Sequence, residues 1–116
     1  MFKKIKTGVI GVGSMGQNHA RIYSEISDLV GIADPDEVQG KKIAKKFGTK
    51  WFKDYREMLH KVDAVTIAVP TVLHLPIALD VSRQNVHMLI EKPLASNVEE
   101  ANQIVSIAKK HNIVLS

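Results

Sequence analysis

The stretch GVIGVGSMGQNH, residues 8–19, decides the fold that this chain can adopt. An apolar run, Ile5–Ile10, leads directly into glycines at positions 11, 13 and 16, spaced G-x-G-x-x-G. Such a run is typical of a central parallel strand that is buried on both faces. Apolar side chains then recur at helical spacing over Ser14–Ile26. The stretch therefore predicts a strand, a tight glycine turn and a helix, in that order.

Each of the three glycines has a physical purpose in such a turn. Gly11 allows the chain to turn tightly, Gly13 lets a diphosphate approach the backbone, and Gly16 lets the helix pack closely on the strand. The phosphates would rest on free amides at the helix N-terminus, which include those of Ser14 and Met15. We therefore predict a dinucleotide site at Gly11, Gly13, Ser14, Met15 and Gly16. A glycine turn without a ligand is the alternative.

An acidic residue follows the second predicted strand, 18 residues after Gly16. At that point Asp34 can accept hydrogen bonds from both hydroxyls of an adenosine ribose. Its carboxylate would repel a 2′-phosphate, and residues 35–37 supply no cation to offset that repulsion. The sequence therefore predicts NAD(H) rather than NADP(H). Two alternatives stay open: Asp34 caps the next helix, because ADPD is also good turn chemistry, or the chain is a methyltransferase, which would show the same pattern.

The rest of the chain alternates apolar strands with helical patterns, which predicts a parallel sheet with helices on both faces. We predict an α/β fold of the Rossmann type, a doubly wound sheet of six strands in the order 3-2-1-4-5-6, as one domain over residues 1–116. The further predicted strands are Leu29–Ala33, Trp51–Phe52, Ala64–Val69, Val86–Glu91 and Ile113–Ser116. The further predicted helices are Asp36–Phe47, Asp54–His60, Leu73–Gln84 and one that begins near Ser96.

Composition excludes several other classes of protein. The net charge is +4, but the lysines lie in small groups without an arginine-rich stripe or interleaved aromatics, so we do not expect a nucleic-acid partner. No apolar run reaches the length of a membrane span, and no signal peptide is recognisable, so we expect no membrane partner. Cysteine is absent, which excludes disulfides and thiolate metal sites and favours a reducing cytoplasm. We predict no metal site.

Four motifs in order resemble one protein family. They are Asn18-His19 after the glycine loop, GIADPD (residues 31–36), AVPTVLH (residues 68–74) and EKPLA (residues 91–95). Together they resemble the N-terminal domain of the glucose–fructose oxidoreductase and inositol 2-dehydrogenase family, often named Gfo/Idh/MocA, over nearly the whole chain. The segment MGQNHARIY is most similar to members that oxidise the 3-hydroxyl of a nucleotide-linked amino sugar.

The resemblance implies roles for residues after the fourth and fifth strands. In the family, the Lys of Glu-Lys-Pro reaches the substrate hydroxyl and takes part in proton transfer, which implies this role for Lys92. Alcohol oxidation releases a proton that a base must receive in place. Glu91 would lie near the nicotinamide ribose. The Lys–Pro bond is often cis in relatives. A charged strand end followed by a helix-stopping proline is the alternative for this motif.

The turn after the fourth strand is commonly Thr-Pro-Asn-x-x-His in the family, and here it departs at two positions. Pro70 and His74 match the pattern, whereas Val69 and Thr71 replace its first threonine and its asparagine. The resemblance implies that Pro70, Thr71 and His74 lie against the nicotinamide half of the cofactor. For His19, on the first helix, we predict packing or a local hydrogen bond.

The resemblance also bears on what the whole protein does. Family members carry a second, substrate-binding domain, and here the chain ends in the sixth predicted strand. We therefore expect an NAD-dependent dehydrogenase domain that binds cofactor without turnover, from a parent that acts on a sugar, nucleotide sugar or polyol. An unpaired sheet edge predicts self-association, so we expect a homo-oligomer. A non-catalytic, dinucleotide-sensing regulatory protein of the same fold is the alternative, and the presence of Lys92 argues against it.

Overall fold

A computed structural model of the chain describes residues 4–116. Within that range five parallel strands form one sheet in the order β3-β2-β1-β4-β5. This confirms the predicted Rossmann-type order for the first five strands. The strands are β1 (Lys6–Ile10), β2 (Asp28–Ala33), β3 (Lys50–Phe52), β4 (Ala64–Ile67) and β5 (His87–Ile90).

Helices cover both faces of the sheet, as the alternating pattern predicts. They are α1 (Ser14–Ile26), α2 (Glu37–Lys46), α3 (Arg56–Leu59), α4 (His74–Arg83) and α5 (Val98–Lys110), with a 3₁₀ turn at Thr71–Leu73 before α4. Neighbouring strand residues point to opposite faces: Val9 joins a core with α1 and α2, whereas Ile10 joins a larger core with α3, α4 and α5. The sheet is therefore sandwiched between two helix layers.

The helix ends follow local side-chain chemistry. Asp36 caps α2, since its carboxylate accepts a hydrogen bond from the Gln39 amide at 3.1 Å. Lysines in the last turn of α2 complement the helix dipole. Asn97 caps α5 in the same way through the Glu100 amide, at 2.9 Å. The predicted helix over 54–60 is only four residues long, because the Asp54 carboxylate accepts from the Arg56 amide and holds the preceding residues in a turn.

The predicted sixth strand is wrong as a strand. The segment at 113–116 lies beside β5 but pairs through a single isolated bridge, between Met88 and Leu115. The Ser116 amide donates to the Met88 carbonyl at 3.1 Å, and the Ile90 amide donates to the Ser116 carbonyl at 2.9 Å. The position of the segment is therefore that of a sixth strand, but one isolated bridge does not make a ladder with β5. Within residues 4–116, no helix combines the length and the apolar character needed to cross a membrane.

Candidate functional site

Four strand ends meet at one edge of the sheet. Because β1, β2, β4 and β5 are parallel, their carboxyl ends bring together Gly11, Asp34, the turn at 68–70 and Glu91. Backbone hydrogen bonds continue the ladder across this edge: the Gly11 amide donates to Ala33 at 2.8 Å, the Ala68 amide to Ile10 at 2.8 Å and the Glu91 amide to Ile67 at 3.0 Å. The predicted site residues at these strand ends are therefore held in place by the hydrogen bonds of the sheet.

Two glycines of the loop are required by packing within the protein itself. Gly11 has a φ of +92°, and a Cβ there would lie 2.5 Å from the carbonyl oxygen of Ala68. A Cβ on Gly16 would lie 1.8 Å from the carbonyl oxygen of Gly11. Glycine at position 11 allows the loop to turn tightly at the end of β1. Glycine at position 16 allows α1 to pack this closely against the loop.

Gly13 is different, because no packing explains it. Its backbone is extended, with a φ of −67° and a ψ of −169°, which any residue adopts. A Cβ placed there meets no described atom within 4 Å. α1 begins at the next residue, and among the described side chains none caps it. The first amides of α1 lack intrahelical partners, so the space in front of Gly13 is bordered by hydrogen-bond donors and fits a diphosphate.

The half-buried Asp34 holds the glycine loop in place. Its Oδ2 accepts a hydrogen bond from the Val12 amide at 2.9 Å, and its Oδ1 accepts from the Asp36 amide at 2.9 Å. The indole Nε1 of Trp51 donates to the Asp34 carbonyl at 2.8 Å. The alternative that Asp34 caps the next helix does not hold, because Asp36 is the cap of α2.

The loop after β5 carries two predicted site residues. The Lys92 side chain is exposed at the edge, and the Lys92–Pro93 peptide bond is cis. Glu91 is half-buried, and its Oε1 contacts Nε2 of His19 on α1. After β4, the exposed Pro70 precedes the 3₁₀ turn that begins at Thr71.

His74 lies inside the protein. The residue is 1% exposed and stands at the start of α4. Nδ1 lies 3.0 Å from the Leu94 carbonyl oxygen and Nε2 lies 2.9 Å from the Val69 carbonyl oxygen. In the described structure the imidazole faces main-chain carbonyls, and the contact with a bound cofactor that the resemblance implies stays a prediction.

The sequence did not reveal the partner of His19. We predicted packing or a local hydrogen bond, whereas the structure pairs His19 with Glu91, 72 positions further along the chain. One signal was available: His19 and Tyr23 are four residues apart and share one face of α1. The Tyr23 hydroxyl in turn bonds the Thr66 hydroxyl of β4 at 2.6 Å. That face of α1 is therefore polar where it meets the sheet.

Among residues 4–116 there is no cluster of three or more His, Asp or Glu side chains that could hold a metal ion.

Comparison with known proteins identifies the family. Residues 5–116 match the Gfo/Idh/MocA oxidoreductase family, described as an NAD-binding Rossmann fold. The chain belongs to this family. Gfo/Idh/MocA membership contradicts the methyltransferase alternative and agrees with the glycine loop and sheet order described above.

Individual relatives share this domain. UDP-N-acetylglucosamine 3-dehydrogenase of Acidithiobacillus ferrooxidans is 37% identical over 112 residues, which are 97% of this chain and 36% of that protein. Inositol 2-dehydrogenase of Rubrobacter xylanophilus is 32% identical over 108 residues, which are 89% of this chain and 31% of that protein. The chain thus spans about a third of the length of these Gfo/Idh/MocA relatives.

Solved structures of the family superpose closely on this chain. The A. ferrooxidans enzyme has a TM-score of 0.93 and 34% sequence identity, covering 99% of this chain and 38% of that one. GenD2 from gentamicin A biosynthesis, in complex with NAD, has a TM-score of 0.94 and 32% identity, covering 100% of this chain and 34% of that one. The fold is therefore that of the N-terminal domain of these proteins.

Proposed function

We propose that this chain is the NAD(H)-binding domain of a dehydrogenase that transfers hydride between nicotinamide and a hydroxyl-bearing carbon of a sugar, nucleotide sugar or polyol. The observation that carries the proposal is Gly13. Neither its backbone conformation nor its packing requires glycine, yet its Cβ position opens onto the donor-lined space in front of α1. A diphosphate that must touch the backbone there explains the glycine.

The cofactor preference follows from Asp34. Each of its oxygens accepts one backbone hydrogen bond, and a carboxylate oxygen can accept two. One acceptor site on each oxygen therefore remains for the two ribose hydroxyls of NAD(H). A 2′-phosphate would meet the charge of Asp34 together with those of Asp36 and Glu37, and Lys41 is already paired with Glu37 at 2.6 Å. We infer a preference for NAD(H).

We assign the proton transfer at the other end of the site to Lys92. Bound NAD⁺ supplies a hydride acceptor. When the C–H hydride of the alcohol leaves, the hydroxyl proton must pass to a base. The Lys92 amine is the basic side chain at the end of β5 that can receive it, while Glu91 orients the nicotinamide ribose, and Pro70 and Thr71 border the nicotinamide. In the reverse direction Lys92 returns the proton to the forming hydroxyl.

The substrate class is inferred from the named relatives, which act on a nucleotide sugar and on inositol. Because this chain spans about a third of their length, the groups that recognise a sugar would come from a further domain. The chain alone should therefore bind NADH and oxidise no sugar. A reducing cytoplasm and a homo-oligomeric parent remain predictions, and sedimentation of the parent protein checks the second.

The test of the proposal is a fluorescence titration of the chain with NADH, compared between the wild type and Gly13→Ala. Alanine at this position fits the fold but intrudes on the diphosphate, so we expect unchanged melting and an affinity lower by about tenfold or more, which is at least 1.4 kcal/mol. Equal affinities for the two proteins would refute the proposed diphosphate site, as would a wild type that does not bind NADH.

Turnover separates the dehydrogenase from the regulatory alternative. In a protein that joins this domain to a substrate domain, Lys92→Met should leave NADH affinity within about twofold and lower kcat by roughly 10² or more, the scale of a lost acid–base group. Exposed Lys110 on α5 offers a matched control, since Lys110→Met should change neither quantity. A non-catalytic sensor would show no turnover in any of the three proteins.

A further inference from the structure

His74 joins the two loops that flank the nicotinamide end of the proposed site. Val69 is the residue before Pro70 in the turn after β4, and Leu94 follows Pro93 in the loop after β5. The imidazole stands between them, with Nε2 at 2.9 Å from the Val69 carbonyl oxygen and Nδ1 at 3.0 Å from the Leu94 carbonyl oxygen. Val69 and Leu94 are 25 positions apart, so this ring forms a non-covalent bridge between two loops that are distant in the sequence.

The imidazole is shielded from water. His74 is 1% exposed, and its contacts with the two carbonyls are part-buried, so the ring is the donor available to them inside the protein. Loss of the donor would leave a part-buried main-chain carbonyl without this partner, which a loop relieves by moving. The loop with the Leu94 carbonyl also carries Lys92, two residues earlier. The other end of that loop is held through Glu91 by His19.

We propose that His74 is a positioning residue for Lys92: by donating from Nδ1 to the Leu94 carbonyl, it fixes the loop that sets where the Lys92 amine stands over the nicotinamide. The inference rests on the proposed function and deepens it. It assigns to His74 an action through the protein rather than a contact with the cofactor. A displacement of the amine by about 1 Å is enough to lower the rate by roughly 10².

The chemistry of imidazole makes the two bonds separable. Carbonyl oxygens only accept hydrogen bonds, and a neutral imidazole carries a single N–H. The amide nitrogen of asparagine falls near the place of Nδ1, and that of glutamine near the place of Nε2. His74→Asn therefore keeps a donor at the Leu94 carbonyl, whereas His74→Gln places its donor at the Val69 carbonyl instead. Each variant supplies a donor to one of the two part-buried carbonyls and none to the other, so the two variants are matched in their cost to stability.

The first measurement needs no cofactor. In ¹H–¹⁵N spectra of the chain, the amide signals of Lys92, Leu94 and Ala95 should move and broaden in His74→Gln and stay close to wild type in His74→Asn. Melting temperatures of the two variants should fall by similar amounts. The control pair is His60→Asn and His60→Gln at an exposed histidine after α3, and it should leave all these signals in place.

The second measurement is made in a protein that joins this domain to a substrate domain. There, His74→Gln should lower kcat by about 10², with the KM for NAD within about twofold, and His74→Asn should keep kcat within about threefold of wild type. A merely structural histidine would lower stability in both variants and would not separate kcat between them.

The results can overturn this inference without touching the proposed function. Equal effects of His74→Asn and His74→Gln on the Lys92 signals would refute the positioning role even if the wild type binds NADH. Should both variants fail to fold, the wild-type ring decides: we expect a slowly exchanging Nδ1 proton with nuclear Overhauser contacts to Leu94, and its absence refutes the inference. Failure of the wild type to bind NADH would instead refute the proposed function.

Discussion

The carboxylate of Asp34 accepts a hydrogen bond from the backbone amide of Val12, with 2.9 Å between Oδ2 and the amide nitrogen. This bond ties the end of β2 to the middle of the glycine loop, 22 positions earlier in the chain. The residue proposed to select the ribose therefore also shapes the loop proposed to hold the diphosphate. A change at Asp34 should affect the binding of both parts of the cofactor.

Replacing Asp34 should change cofactor preference. We expect Asp34→Ser to weaken NAD binding by about 1.5–3 kcal/mol, because two hydrogen bonds from the ribose to a charged group are lost, and to weaken NADP binding less. The NAD/NADP affinity ratio therefore falls, as measured by parallel calorimetric titrations. As a control, Asn97→Ala removes the uncharged cap of α5, costs about 1 kcal/mol of stability and leaves the ratio unchanged. An unaltered ratio in Asp34→Ser would contradict the assignment.

Replacing Gly16 should damage the fold itself. The new Cβ of Gly16→Ala would lie 1.8 Å from a backbone oxygen, so α1 or the loop must shift. We expect a loss of about 3 kcal/mol, at the upper end of the usual cost of overpacking, measured by urea unfolding. Gly13→Ala, with open space at its Cβ, should unfold like the wild type. If the two variants were equally stable, the close approach of α1 to the loop would be disproved.

The pair formed by His19 and Glu91 should be energetically coupled. Their side chains are 18% and 24% exposed, so water screens their interaction less than it screens a surface pair. A double-mutant cycle with His19→Leu and Glu91→Gln should give a coupling of about 1 kcal/mol in the free energy of unfolding. Additive effects of the two substitutions would mean that the contact contributes nothing to stability.

Tyr55 should stabilise the fold in a pH-dependent manner. Burial, and next the hydrogen bond from its hydroxyl to the Asp80 carboxylate, raise the pKa of Tyr55 above its ordinary value of 10.0. Since the folded pKa exceeds the unfolded one, this contribution is fully present below pH 10 and is lost as the pH rises through the folded pKa. Tyr55→Phe should therefore cost about 1 kcal/mol at pH 7, and the difference from wild type should shrink above pH 10.

Urea unfolding of both proteins at pH 7, 9 and 10.5 measures this difference. Asp80→Asn provides the control background, because it removes the negative charge of the carboxylate that accepts the hydrogen bond of the phenol. There the effect of Tyr55→Phe should be smaller at pH 7. A Tyr55→Phe penalty that stays constant through pH 10.5 would show that folding does not raise the pKa of Tyr55.

Much of the fold was predictable because its signals are local. The bounds of α1 match the prediction at both ends, since the glycine loop marks its start and the apolar periodicity ends at Ile26. The predicted strand over 64–69 is shorter: β4 ends at Ile67, and the Ala68 amide still bonds Ile10 before the chain turns towards Pro70. The predicted sixth strand is reduced to one bridge, since apolar character alone does not indicate how many residues find a partner.

The side-chain partners of His19 and His74 could not be predicted from the sequence. The contact of His74 with the cofactor that the resemblance implies stays a prediction, and the sequence did not indicate that the ring lies between the carbonyls of Val69 and Leu94. For His19 we predicted packing or a local hydrogen bond, yet it contacts the distant Glu91. A histidine side chain can serve as donor, acceptor or cation, so its residue type does not identify its partner.

From the sequence by itself one learns the alternating α/β class, the glycine turn over the first strand and the edge at which Asp34 and Lys92 stand. These features follow from spacing, turn chemistry and the handedness of parallel connections, which act over short stretches of chain. Only the tertiary structure decided which side chains hold the loop around Lys92. Those bonds join residues 20 and 72 positions apart, and such partners meet only after the strand order has brought β1, β4 and β5 side by side.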